Sequence, residues 1–257
     1  MILIQGQANQ QKNSLKKKKI EVSEGVLNKK LNKFYRSYIY IKKNKLPYVI
    51  GKIASSKDNF IKSKIKKMLT NKFSQSISHL LRYRSHAILI SYKTLNSDNP
   101  RLGCRLNSLE KYSPVRVILD KNLNLKMNTF VIKSAKKITT YVFYNKNNLK
   151  KINLLKKKGV KLKYLKLKNN NFIAIDIFKK LYSENIFYLL VEGGANLTQN
   201  FLTNNAFNEF FYFKSSKKIK KNGTIKLLNF EKKVKNKFKN YEEVKTYTGE
   251  DKILRYY

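Results

Sequence analysis

The sequence predicts an α/β fold: a mixed, mainly parallel sheet flanked by helices, with antiparallel strands towards the C-terminal end. Three observations carry that expectation. Short runs rich in β-branched residues alternate with helical periodicity from Pro47 to about residue 204, which is the pattern of strands linked by covering helices. One strand-like run ends in Glu192-Gly193-Gly194 and gives way to a helix near Ala195. From Phe207 onward strand-like runs follow one another with no strong helix between them.

A chain of 257 residues with 42% hydrophobic content can bury one substantial core and is too short for two full enzyme domains. Residues 1–46 are polar and lysine-rich and read as a leader, with Lys16 to Lys19, a strand-like Ile20-Glu21-Val22 and helical spacing through Val26, Leu27, Leu31 and Phe34. Residues 47–257 form the main domain. Its first strand is Tyr48 to Ala54. Thr70 and Asn71 are both candidate N-caps for a helix through Phe73, Ile77, Leu80, Leu81 and Arg84, which leads into a strand over Ala87 to Ser91. Val115 to Leu119 and Thr139 to Phe143 are further strands, each bounded by polar or turn residues. Leu149 to Lys157 and Ile173 to Tyr182 read as helices; Gly159 to Leu165 and Ile186 to Val191 read as strands. The terminal antiparallel set is expected over Glu209 to Phe213, Ile225 to Leu228 and Ile253 to Tyr257.

Composition narrows the function. The net charge of +42, from 57 Lys and Arg against 15 Asp and Glu, would suit a polyanionic partner. The surplus is scattered lysine, mixed with abundant Asn, Ile, Tyr and Phe as in AT-rich coding sequence, so nucleic acid is not the expected partner. Cys104 stands alone, which excludes a disulfide framework or a cysteine metal site and points to a reducing, cytoplasmic compartment. No apolar run approaches the ~20 residues that span a bilayer. The start, Met1 to Ile4, has no charged segment before an apolar run, so no signal peptide is expected.

Glu192-Gly193-Gly194 is the most informative local feature. A helix N-terminus exposes unpaired N–H groups and partial positive charge, suited to a cofactor phosphate, and paired glycines let the backbone turn and approach a ligand. The same pattern also serves as a plain structural turn, and no full G-x-G-x-x-G fingerprint is present. Glu192 ends its strand on the side where open α/β sheets bind ligands; it could hold substrate polar groups, cap a helix or pair with a lysine.

Three segments taken in order are more specific: PYVIGKIASSKDN (47–59), LLRYRSHAILISYKTLNSDNPRL (80–102) and LLVEGGANLTQNFL (189–202). Together they resemble the reductase domain of the bifunctional riboflavin-biosynthesis deaminase/reductase, a member of the dihydrofolate-reductase-like superfamily. The resemblance spans about residues 47 to 213 and is strongest in the second segment. It implies NADPH-dependent reduction of 5-amino-6-(5-phosphoribosylamino)uracil, a pyrimidine ribosylamine phosphate, to its ribitylamino counterpart. It also implies NADPH contacts from Ala54, Thr94, Asp98 and the turn Gly194, Ala195, Asn196, Leu197, Thr198, Gln199 and Asn200. Substrate contacts are implied for Ser63, Arg82, Leu102, Arg105 and Glu192. The arginines make chemical sense because each offers a forked donor set to a phosphate. Thr94 and Asp98 could equally order the loop before Pro100. His79 and His86 read as structural, and no acid/base pair or other catalytic residue is evident. By analogy with the fold family, a homodimer is expected.

The chain also departs from the family pattern. Asp58-Asn59 stands for Asp-Gly, with Asn the residue that most readily replaces glycine in a left-handed conformation. Ile61 to Lys67 is shorter than usual, Met68 occupies the place of a Trp, and Lys121 that of a Ser. Residues 19–46 resemble the tail of a zinc deaminase domain, yet the chain contains no H-x-E or P-C-x-x-C ligand set, so neither deaminase activity nor a bound metal is expected. A separate deaminase is then a candidate partner, and a degenerate reductase that binds it is the alternative reading.

Overall fold

A computed structural model describes residues 5–23, 26–65 and 68–257. Met1 to Ile4, and Lys66 and Lys67 of the short loop, lie outside the described residues. The chain divides into two compact units, Met1–Lys43 and Asn44–Tyr257. The first carries α1 (Gln5–Lys17) and most of α2 (Asn28–Asn44). Ile20 to Val22 form no strand, and among the described residues none pairs with them.

The second unit runs β1 (Tyr48–Ser55), β2 (Phe60–Ser63), α3 (Lys72–Tyr83), β3 (Ala87–Ser91), α4 (Tyr92–Asp98), β4 (Val115–Leu119), α5 (Phe130–Lys133) and β5 (Thr140–Tyr144). It continues through α6 (Leu149–Lys157), β6 (Lys161–Tyr164), the short ribbon β7 (Leu167–Lys168) and β8 (Asn171–Phe172), α7 (Ala174–Tyr182) and β9 (Tyr188–Val191). The last elements are α8 (Ala195–Thr203), β10 (Glu209–Lys214), β11 (Gly223–Lys226), α9 (Phe230–Lys235), β12 (Tyr241–Glu243) and β13 (Lys252–Tyr256). Among the described residues, nine strands form one sheet in the order β12-β13-β10-β1-β9-β3-β4-β5-β6. All pairings from β10 to β6 are parallel, and β13 and β12 add antiparallel pairings at one edge. The α/β class expected from the sequence is therefore the one observed.

Alternation along each strand divides the core between two faces. Val49, Ile53, Leu89, Val117, Leu189, Val191 and Phe210 point to one side, against α7, α8 and α9. Ile88, Ile90, Ile118, Val142, Leu190 and Phe213 point to the other, against α3, α4, α5 and α6. Both faces are covered, so the central strands are apolar on both sides rather than alternating with polar residues. Gly51 is required by close approach: a Cβ there would fall 2.4 Å from the Phe210 ring.

Three expectations for the end of the chain need correction. Glu209 to Phe213 is parallel to β1, and antiparallel only to β13. Ile225 lies in β11, which pairs with β2 in a ribbon outside the main sheet, where Gly223 gives room to the Phe60 ring. A short helix, α9, follows residue 204, held by buried Phe230 and Val234. The first two share a cause, because hydrophobic pattern marks a strand without naming its partner.

At the first loop the sequence reading of Asn59 holds: its φ of 67° is left-handed. Asp58 anchors this turn by accepting from Ser56 Oγ and from the N–H groups of Ile219 and Lys220. Of the two candidate caps for α3, Asn71 serves, its side chain accepting the Ser74 N–H at 2.9 Å.

Candidate active site

In a parallel sheet the carboxyl ends of the strands share one edge, and here β1, β9 and β3 lie side by side at its centre. Gly51 pairs with Val191, so the next residues along, Lys52 and Glu192, stand beside one another. Glu192 leaves β9 with its N–H on the Leu89 carbonyl at 3.1 Å. Its carboxylate meets Arg82, from α3, in a two-pronged pair: Nε to Oε1 at 2.8 Å and Nη2 to Oε2 at 2.8 Å. Both side chains are largely buried, at 13% and 14% exposure.

Burial acts to raise the Glu192 pKa, but the charge and hydrogen bonds of Arg82, then Lys52 and His79, outweigh it and hold the carboxyl at about 2. Burial lowers the pKa of Lys52, Glu192 works against that, and Arg82 adds to the lowering. Lys52 Nζ also sits 4.8 Å from the centre of the Phe213 ring. Burial and the neighbouring Arg82 charge thus ease loss of the Lys52 proton.

Arg82 has a further donor, Nη1, on the Gly103 carbonyl at 3.1 Å. That bond ties α3 to the loop bearing Leu102 and Arg105. Leu102 is buried with a left-handed φ of 63°. Arg105 is exposed, its pKa lowered by partial desolvation and by the charges of Arg82 and Arg101. Its N–H donates to His79 Nδ1 at 3.2 Å.

A second group of residues lies around the start of α8. Gly194 supplies no side-chain cap, so first-turn N–H groups of this nine-residue helix keep capacity for an anion. Neither Gly193 nor Gly194 has positive φ, so the pair is not needed for a left-handed turn. Space is the reason at Gly193, where a Cβ would come within 3.1 Å of Leu197. Thr94 Oγ1 lies 3.6 Å from where a Gly194 Cβ would be, so α4 and the glycine turn face each other.

The description of the family that matches residues 47–246 is RibD C-terminal domain. The chain belongs to that family. It is similar to the riboflavin biosynthesis protein RibD of Aquifex aeolicus, 29% identical over 240 residues, covering 91% of this chain and 64% of the relative. RibD of Actinobacillus pleuropneumoniae is 28% identical over 187 residues, covering 72% of this chain and 49% of its own. The chain thus spans less than two thirds of these curated relatives. Among solved structures, Acinetobacter baumannii RibD (form 2) aligns with a TM-score of 0.71 at 19% identity, covering 94% of this chain and 66% of that one. The Saccharomyces riboflavin biosynthesis reductase Rib7 aligns with a TM-score of 0.63 at 18% identity, covering 88% and 98%. At such identity these two likenesses speak for the fold alone.

For a RibD-type reductase domain, the placement of the expected residues is uneven. Arg82, Leu102, Arg105 and Glu192 come together, and Thr94 meets Gly194. Ala54 is half-buried in β1 opposite Phe213. Ala195 and Leu197 pack into the core, Thr198 turns back towards the Gly193 carbonyl, and Asn196, Gln199 and Asn200 are exposed. Asp98 is exposed and paired with Lys62 at 3.1 Å. Ser63 ends β2 and accepts from the Ile65 N–H, lining a different cavity with Met68, Lys217 and Asn222. Lys121, in the expected serine position, is tied to Asn170. Among the described residues no three His, Cys, Asp or Glu side chains gather as metal ligands, and no helix is long and apolar enough to cross a membrane.

Sequence reasoning missed Lys52 and set aside His79. Lys52 had a faint signal, a lone charge inside an otherwise uncharged strand run.

Proposed function

We propose that residues 47–257 reduce 5-amino-6-(5-phosphoribosylamino)uracil to the ribitylamino phosphate with NADPH, residues 1–46 being a preceding segment outside that domain. The observation that carries this reading is the buried Arg82–Glu192 pair at the end of β9, with Lys52 beside it and Arg105 at its rim. Family membership supports the reaction class. NADPH fits the residues present: the uncapped start of α8 behind Gly193 and Gly194 would take its phosphates, with Thr94 opposite.

When bound, the cofactor would supply hydride to the ribose C1. The chain supplies position and charge. Glu192, kept ionised by Arg82, accepts hydrogen bonds from substrate N–H or O–H groups. Arg105 meets the phosphate with exposed forked donors. Lys52 Nζ delivers a proton to the oxygen released as the sugar ring opens, which its lowered pKa favours.

The test is purified chain, NADPH and the deaminated substrate, followed by the loss of NADPH absorbance and identification of the ribitylamino product. Stoichiometric product is expected. Folded protein that leaves NADPH untouched would refute the reading. A homodimer, a cytoplasmic location and association with a deaminase belong to the same proposal and are checked by sedimentation, fractionation and pull-down.

A further inference from the structure

We infer that His79 is a positioning residue whose unprotonated Nδ1 fixes the backbone of the loop carrying Leu102 and Arg105, and through it affinity for the substrate phosphate. The identity of the ligand rests on the reductase reading above; the pinning of the loop does not.

Three consecutive residues of this loop are each held by a side chain, the first and third of them from α3. The Gly103 carbonyl accepts from Arg82 Nη1 at 3.1 Å, the Cys104 N–H donates to Ser113 Oγ at 3.0 Å, and the Arg105 N–H donates to His79 Nδ1 at 3.2 Å. His79 and Arg82 are three residues apart on α3 and so share a face of the helix. One helix face therefore holds both a carbonyl and an N–H of the loop. Such anchoring is needed because Leu102, just before, is a non-glycine residue held left-handed at φ 63°.

The Arg105 N–H requires an acceptor, which an imidazolium cannot be at Nδ1. The surroundings keep the ring neutral. Burial comes first, then the charges of Arg82 on its own helix and Arg105 on the loop; Glu192 at the end of β9 and the Gly103 carbonyl oppose them, leaving His79 at about 4. Acidification towards that value removes the acceptor and releases the loop.

Three variants distinguish positioning from packing: His79→Asn, whose Oδ1 can stand in for Nδ1, His79→Leu, which fills volume without an acceptor, and His79→Ala. For Leu and Ala, KM for the phosphorylated substrate is expected to rise about tenfold, the loss of one net hydrogen bond, with kcat and the NADPH KM within about twofold. Asn is expected to recover most of that KM. The wild-type KM should climb as pH falls towards about 4, and the Asn profile should stay flat. Leu rescuing KM as well as Asn would reduce His79 to packing and overturn the inference. Amide exchange at Arg105 needs no substrate: faster exchange in Leu but not Asn supports the pin, and unchanged exchange in Leu overturns it. An inactive wild type with the expected exchange pattern would refute the reductase reading and leave the pin standing.

Discussion

Arg82 and Glu192 behave chemically as one group, because each is the partner that makes the other's burial tolerable. Replacing Arg82 by Leu leaves a buried carboxylate without its hydrogen-bonded partner, with Lys52 the remaining cation beside it, at a cost of about 3–5 kcal/mol. That loss should be measurable by urea unfolding at neutral pH. Arg82→Lys keeps the charge but cannot make both Glu192 bonds and reach Gly103, so it should fold yet lose roughly tenfold to a hundredfold in kcat/KM. A lysine variant with wild-type kcat/KM would show that the fork is dispensable. Both residues were legible in the sequence, since each sits in a motif. Lys52 and His79 were not. Lys52 is one among 57 Lys and Arg, and only the pairing of Gly51 with Val191 shows it beside Glu192. His79 contributes through a loop residue 26 positions away, a relation that helical periodicity does not encode.

Helix α3 does most to hold the site together, since His79 and Arg82 both project from it. Its N-terminus depends on Asn71, which accepts the Ser74 N–H and also donates Nδ2 to the Thr248 carbonyl at 2.6 Å. Asn71→Ala should therefore cost about 1–2 kcal/mol in urea denaturation, and Asn71→Asp less, since it keeps the cap acceptor. Equal losses for the two variants would place the stability in the Thr248 contact instead. The helices could be read from periodicity because each buries one regular face, and the central strands as continuous apolar runs because they bury both. The direction of β10 and the withdrawal of β11 into a ribbon could not, because the Phe-rich run at 210–213 and the short apolar stretch at 225–228 fit either arrangement. The α8 turn was found for a partly mistaken reason. Gly193 is there to clear Leu197, and the dihedral angles of both glycines are ones other residues could adopt.

For the molecule as a whole, the charge of +42 means that compaction brings like charges together. Added salt screens that repulsion, so the melting temperature should rise between low and physiological ionic strength and then level off. A flat or falling trend would show that ion pairs such as Lys214–Glu231 and Arg255–Glu242 already offset it. The strand order has a consequence in time as well as space. β1 is made early, yet both of its neighbours in the main sheet, β9 and β10, come from beyond residue 187. During synthesis this interior strand therefore waits with both edges bare until most of the domain has been made. Such a nascent chain is open to pairing with other unfinished chains, and chaperones have that interval in which to shield it.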